Sequence, residues 1–181
     1  MIRRFSFGLL LLLGATVLWA ADPGEIVIDF ERAEIGKPVP TWTDKGVTFA
    51  LAEPPRTSKA VGRVMFFPHI ATSHKGLLNA MANEQAIAVQ AKFPVRASSV
   101  SVTFWASTGC PAKLEAFDEN DRLVDTATVK AAPARKSPAD PVPFFTLRVK
   151  APGIAYVRFS GPRNGEFLAA DEIRYRLAKI E

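Results

Sequence analysis

The chain has 181 residues, a formal net charge of +5, 48% hydrophobic and 23% charged residues. Basic residues scattered along the chain, densest at Arg135 and Lys136, exclude the concentrated basic face of a nucleic-acid binder. One cysteine, Cys110, excludes an internal disulfide, so the fold has to rest on its apolar core.

The first residues read MIRRFSFGLLLLLGATVLWAADPGE. Arg3 and Arg4 form a positive region, Phe7 to Trp19 an apolar run, and Ala20 and Ala21 are small residues ahead of Asp22. This is the pattern of a secretory signal peptide over residues 1–20, cleaved after Ala20, and the apolar run is short for a membrane span of about 20 residues. An uncleaved N-terminal anchor is the alternative. No second long apolar segment follows, so no integral span is expected in the mature chain, and a secreted or periplasmic location follows. Residues 21–181 are enough for one domain with its own core.

Beyond the leader, short runs rich in Val, Ile, Phe and Thr alternate at period two and are separated by Pro, Gly, Asn and Asp. EIVIDFE (25–31), GVTFALAE (46–53), RVMFFPHI (63–70), AIAVQAKF (86–93) and SVSVTFWA (99–106) are read as strands. AKLEAFD (112–118) and RLVDTATV (122–129) flank the turn residues ENDR and predict a hairpin. FFTLRV (144–149) and IAYVRFSG (154–161) flank KAPG and predict another, and FLAADEIRYRL (167–177) closes the chain. The Pro-rich stretch 131–143 reads as a surface loop. The spacing predicts an all-β, single-domain sandwich of about nine strands.

The order of these segments resembles secreted bacterial β-sandwich modules with galactose-binding-like, jelly-roll folds. The residues that carry it are the opening IDFE, Gly36, Trp42 and Gly46 to Phe49, the strand VSVTFW with the hairpin LEAFDENDRLVDTATV, and the closing TLRVKAPGIAYVRFSG and FLAADEIRY. The resemblance implies architecture rather than catalysis, since one fold hosts many functions. It also implies a structural calcium near the chain ends, for which Glu31 and Asp171 are the candidate ligands.

Both histidines lie in FFPHIATSHKG, at His69 and His74. They are five residues apart beside Pro68 and before Gly76, with no HExxH or Cys/His cluster, which is a poor pattern for zinc. A loop that contacts a ligand through His69, His74, Lys75 and Asn79 is one reading, and ordinary surface or capping histidines the other. For sugar binding the candidate aromatics are Trp42, read as lying in a loop, and Trp105, off the apolar face of its strand. Core packing is the competing role for each. Asp118 to Asp121 are assigned to turn chemistry, and Cys110 to a small buried site rather than a nucleophile.

The functional expectation is an exported, non-catalytic binding or accessory module for carbohydrate or another envelope polymer. A structural or adhesion domain with a protein partner is the alternative, and a metal-dependent hydrolase using His69 and His74 is a further one.

Overall fold

Alternating apolar residues become strands here, but the strands are joined differently from their sequence spacing. The computed structural model describes residues 24–53, 64–68, 74–79, 87–106, 109–137, 139–160 and 168–178. The expected signal peptide lies outside them. Among the described residues ten strands form in chain order: β1 (Glu25–Ile28), β2 (Thr41–Asp44), β3 (Val47–Leu51), β4 (Val64–Pro68), β5 (Lys75–Asn79), β6 (Val89–Ala106), β7 (Ala112–Phe117), β8 (Leu123–Val129), β9 (Phe144–Ser160) and β10 (Leu168–Leu177). No described helix is long and apolar enough to cross a membrane.

The ladders between these strands are antiparallel and form two layers. In the first, β4 pairs with β5, β5 and β1 share one edge of β10, and β10 pairs on its other edge with the second half of β6, which pairs with the first half of β9. In the second, the order is β2, β3, the first half of β6, the second half of β9, β7 and β8. Strands β6 and β9 therefore belong to both layers. They cross from one to the other through register shifts between Lys92 and Ala97 and between Ala97 and Ser99. The extra residues, Phe93 to Arg96 on β6 and Ala151 to Gly153 on β9, are bulges, and bulges bend and twist a strand.

Rings meet across the interior. Phe104 of the first layer lies 5.8 Å from Phe159 of the second, and Phe66 of β4 lies 5.0 Å from Trp42 of β2. Val47, Phe49, Val102, Leu114, Val157 and Ile173 are fully buried in the same core. The result is an all-β sandwich around one core.

Four expectations change. The runs expected at 86–93 and 99–106 merge into the single strand Val89–Ala106, and those at 144–149 and 154–161 into Phe144–Ser160, where KAPG bulges instead of reversing the chain. Trp42 lies within β2, not in a loop, and β5 supplies a hairpin partner for β4 where only an open loop was expected. The expectation of a loop at 131–143 does not change: its described residues form no strand, the Ala132 amide donates to the Cys110 carbonyl at 2.7 Å, and Ala132 and Val142 are buried.

Two turns follow their sequences closely. Lys45 and Gly46 both have positive φ, 47° and 80°, the geometry that a two-residue hairpin loop requires. Between β7 and β8, the Asp118 carboxylate accepts hydrogen bonds from the amides of Asn120 (2.8 Å) and Arg122 (3.0 Å). That pairing, the Arg122 amide foremost, holds its pKa below the ordinary carboxylate value.

Candidate functional site

The outer face of the first layer gathers the polar side chains that the sequence singled out. After β1 the backbone enters the left-handed region at Phe30, φ 57°, and a 2.9 Å bond from the Ala33 amide to the Phe30 carbonyl closes a turn. Such a conformation is uncommon away from glycine. Here Phe30 is fully buried, packed 5.5 Å from Trp42, 5.4 Å from Phe49 and 5.7 Å from Phe66. Its neighbours Asp29 and Glu31 stay outside and line a cavity with His74, Asp171 and Glu172, about 340 Å³ in volume.

Asp171 is the most informative of these. On β10, Ala170 pairs with Phe104 and Glu172 with Thr103, so Asp171 is the extra residue of a bulge. A bulge re-aims a side chain. This one is only 6% exposed, and its Oδ1 lies 3.3 Å from Nδ1 of His74, which is exposed to solvent. The neighbouring Glu172 is paired with Arg174, which also reaches Glu25. Buried acids need such partners, because an ionised carboxylate is costly to remove from water.

Beside the pair, the Phe144 ring stands 5.8 Å from the imidazole and is 39% exposed. Thr103 and Thr146, opposite each other on β6 and β9, are joined through their hydroxyls at 3.0 Å. The surface thus offers an apolar ring, hydroxyls, an imidazole and carboxylates within a few strands of each other. Such a set can hold a small polar molecule by an apolar face and several hydrogen bonds.

Of the residues proposed from sequence, His74, Glu31 and Asp171 come together here, and Lys75 adjoins them through hydrogen bonds to the carbonyls of Glu31 and Ala33. His69 lies outside the described residues. Asn79 pairs with Val64 at the far end of β5, about 13 Å along the strand from Lys75, and its side chain lies outside the described set. Trp42 faces the core within the aromatic cluster of Phe30, Phe49 and Phe66, so its ring is not laid open as a platform. Trp105 does face outward from the core, but it is 2% exposed beneath Val142 and Ala169 and against Gly76. Cys110 is 1% exposed and belongs to the core, as a small apolar residue would.

Sequence reasoning missed Phe144. A signal was present: adjacent residues on a strand point to opposite faces, so one ring of Phe144–Phe145 had to leave the core.

For the implied calcium, the donor set does not fit. Among the described residues no three His, Cys, Asp or Glu side chains gather closely enough to hold a metal ion. Asp171 faces His74, Glu172 faces Arg174, and Oδ1 of Asp29 accepts the Glu31 amide at 3.3 Å.

The fold is similar to that of the K2 cleaved adhesin domain of Lys-gingipain, with a TM-score of 0.54 and 13% identity over 84% of this chain and 99% of that one. The K3 cleaved adhesin domain from Porphyromonas gingivalis w83 gives a TM-score of 0.41 at 12% identity, covering 84% of this chain and 98% of that one. BiXyn10A CBM1 in its apo form also gives 0.41, at 9% identity, covering 87% and 100%. The first likeness is one of β-sandwich fold alone. No protein-family model and no curated protein matches the sequence.

Proposed function

We propose that the protein is an exported, non-catalytic binding module of galactose-binding-like jelly-roll type whose ligand is a carbohydrate or similar polyhydroxylated envelope polymer, held on the outer face of the first layer. The observation that carries this reading is the pair His74–Asp171 on the wall of a polar cavity, with the exposed Phe144 ring beside the imidazole. Sugar hydroxyls both donate and accept, which suits carboxylates, an imidazole and threonine hydroxyls together. The apolar face of a pyranose suits a ring edge or face. The charged-then-apolar segment at residues 1–20 supports export.

Titrating the protein with a panel of soluble envelope and plant polysaccharides tests the reading. A ligand that binds the folded state raises the melting midpoint by mass action. At least one member should raise it in the wild type and fail to do so in His74→Ala and Phe144→Ala. A panel that leaves the wild-type midpoint unmoved counts against the reading.

One observation favours a protein partner as a second reading. The bulges of β6 and β9 open a groove of about 1050 Å³ lined by Phe93, Pro94, Val95, Pro152 and the ion pair Arg96–Glu119. Val95 is 52% exposed there. Charge reversal at Arg96 would weaken that interaction and leave polysaccharide binding intact.

A hydrolase reading gains one element, the His74–Asp171 pair, but Cys110 is buried in the core and does not line that cavity.

A further inference from the structure

We propose that the ammonium of Lys75 is the structural cation of this domain, taking the place of the calcium that the jelly-roll resemblance implies and making the fold independent of metal. The inference does not rest on the ligand reading above.

Lys75 opens β5 and its Nζ donates to the carbonyl of Glu31 and, at 3.1 Å, to that of Ala33. Two carbonyls, two residues apart, converge on one point because the chain turns there, with Phe30 at φ 57° and the Ala33 amide bonded back to the Phe30 carbonyl. Convergent carbonyl oxygens beside carboxylates are what a hard cation seeks. In this protein the oxygens are already met by an ammonium with three donors. Asp29, Glu31 and Asp171 line the adjoining cavity and supply the opposing charge.

A calcium ion needs six to eight oxygens. The carbonyls face Lys75, and Asp171, Glu172 and Asp29 are each engaged with a histidine, an arginine or a backbone amide. A dication in the same place would stand next to the ammonium and be repelled by it.

The consequence is mechanical. Glu31 and Ala33 follow β1, while Lys75 is 44 and 42 residues further along the chain. The contact ties the turn that follows the first strand to the edge of β5, next to His74. The same tie would be a calcium bridge in a metal-dependent module, and it would then be lost in chelator.

Thermal melts of the wild type, Lys75→Met and Lys75→Arg in EDTA and in millimolar calcium test the proposal. The wild-type midpoint should be the same in EDTA and in calcium, within about 1 °C, because no metal linkage exists. Lys75→Met keeps the apolar stem but loses both bonds, and its midpoint should fall by roughly 5 °C or more. Lys75→Arg keeps a cation and should recover at least half of that loss. A wild-type midpoint that rises in calcium overturns the proposal, and so does a Lys75→Met midpoint within about 1 °C of the wild type. If Lys75→Met does not fold, the calcium arm and the Lys75→Arg variant still decide, since an arginine that restores nothing also overturns it.

Discussion

At Gly76 a single methyl group would be too much. A Cβ there would stand 2.6 Å from the Ala169 side chain and 2.8 Å from Nε1 of Trp105, so the indole comes up against a strand position with no side chain. Gly76→Ala should cost about 1–3 kcal/mol, as overpacking does, read from chemical denaturation. Asp118 carries a different prediction. Its folded pKa lies below the ordinary 3.8, chiefly through the Arg122 amide. A depressed carboxylate contributes stability that is present above the unfolded value and lost as pH falls through the folded one. Urea unfolding at stepped pH should show less acid sensitivity in Asp118→Ala than in the wild type below pH 3.8. The turn role of Asp118 was legible from sequence because Asp and Asn close turns through their own side chains. The burial of Trp105 was not, because what covers it, Val142 and Ala169, comes from distant segments.

Among the elements, the long strands β6 and β9 decide the architecture. Each changes layers through extra residues, and Gly153 holds φ at 78°, which an L side chain resists. Gly153→Ala should cost about 1–2 kcal/mol through backbone strain alone, since the nearest atom a Cβ would meet, Cδ of Arg96, is at an ordinary 3.7 Å. The hairpin of β7 and β8 could be read from its alternation and turn residues, and it is where it was expected. The supposed hairpin at KAPG was misread because Pro-Gly between two apolar runs signals a turn or a bulge equally well. Which one forms depends on the partner strand, where Ala97 pairs with Ile154 and Ser99 with Lys150. Strands β2 and β5 escaped notice because TWTD is four residues with polar ends and KGLLN does not alternate. Asp171 owes its direction to a bulge against β6, and register between strands is not written in either strand alone.

Among the described residues one large core is fed by both layers, with the small cluster of Trp105, Val142 and Ala169 outside it, so the domain should unfold as a unit. Far-ultraviolet circular dichroism and tryptophan fluorescence should report coincident transitions in denaturant. The signal should be strong, since Trp105 is 2% exposed and Trp42 packs in the aromatic cluster. At this scale the sandwich and its single core were legible from alternation and turn spacing. The candidate face was legible only in part: His74, Lys75, Glu31 and Asp171 stand out in the sequence, but Phe144 and the threonine pair needed the sheet order to bring them alongside. The proposed role of this outer face is to hold a polyhydroxylated ligand, and the most direct measurement is a binding isotherm for the best polysaccharide of the panel with wild type, His74→Ala and Phe144→Ala. Saturable binding that weakens about tenfold or more in each variant is the predicted result, the loss expected when a central contact is truncated. Wild-type affinity in both variants, or no binding by the wild type to any member, would contradict it.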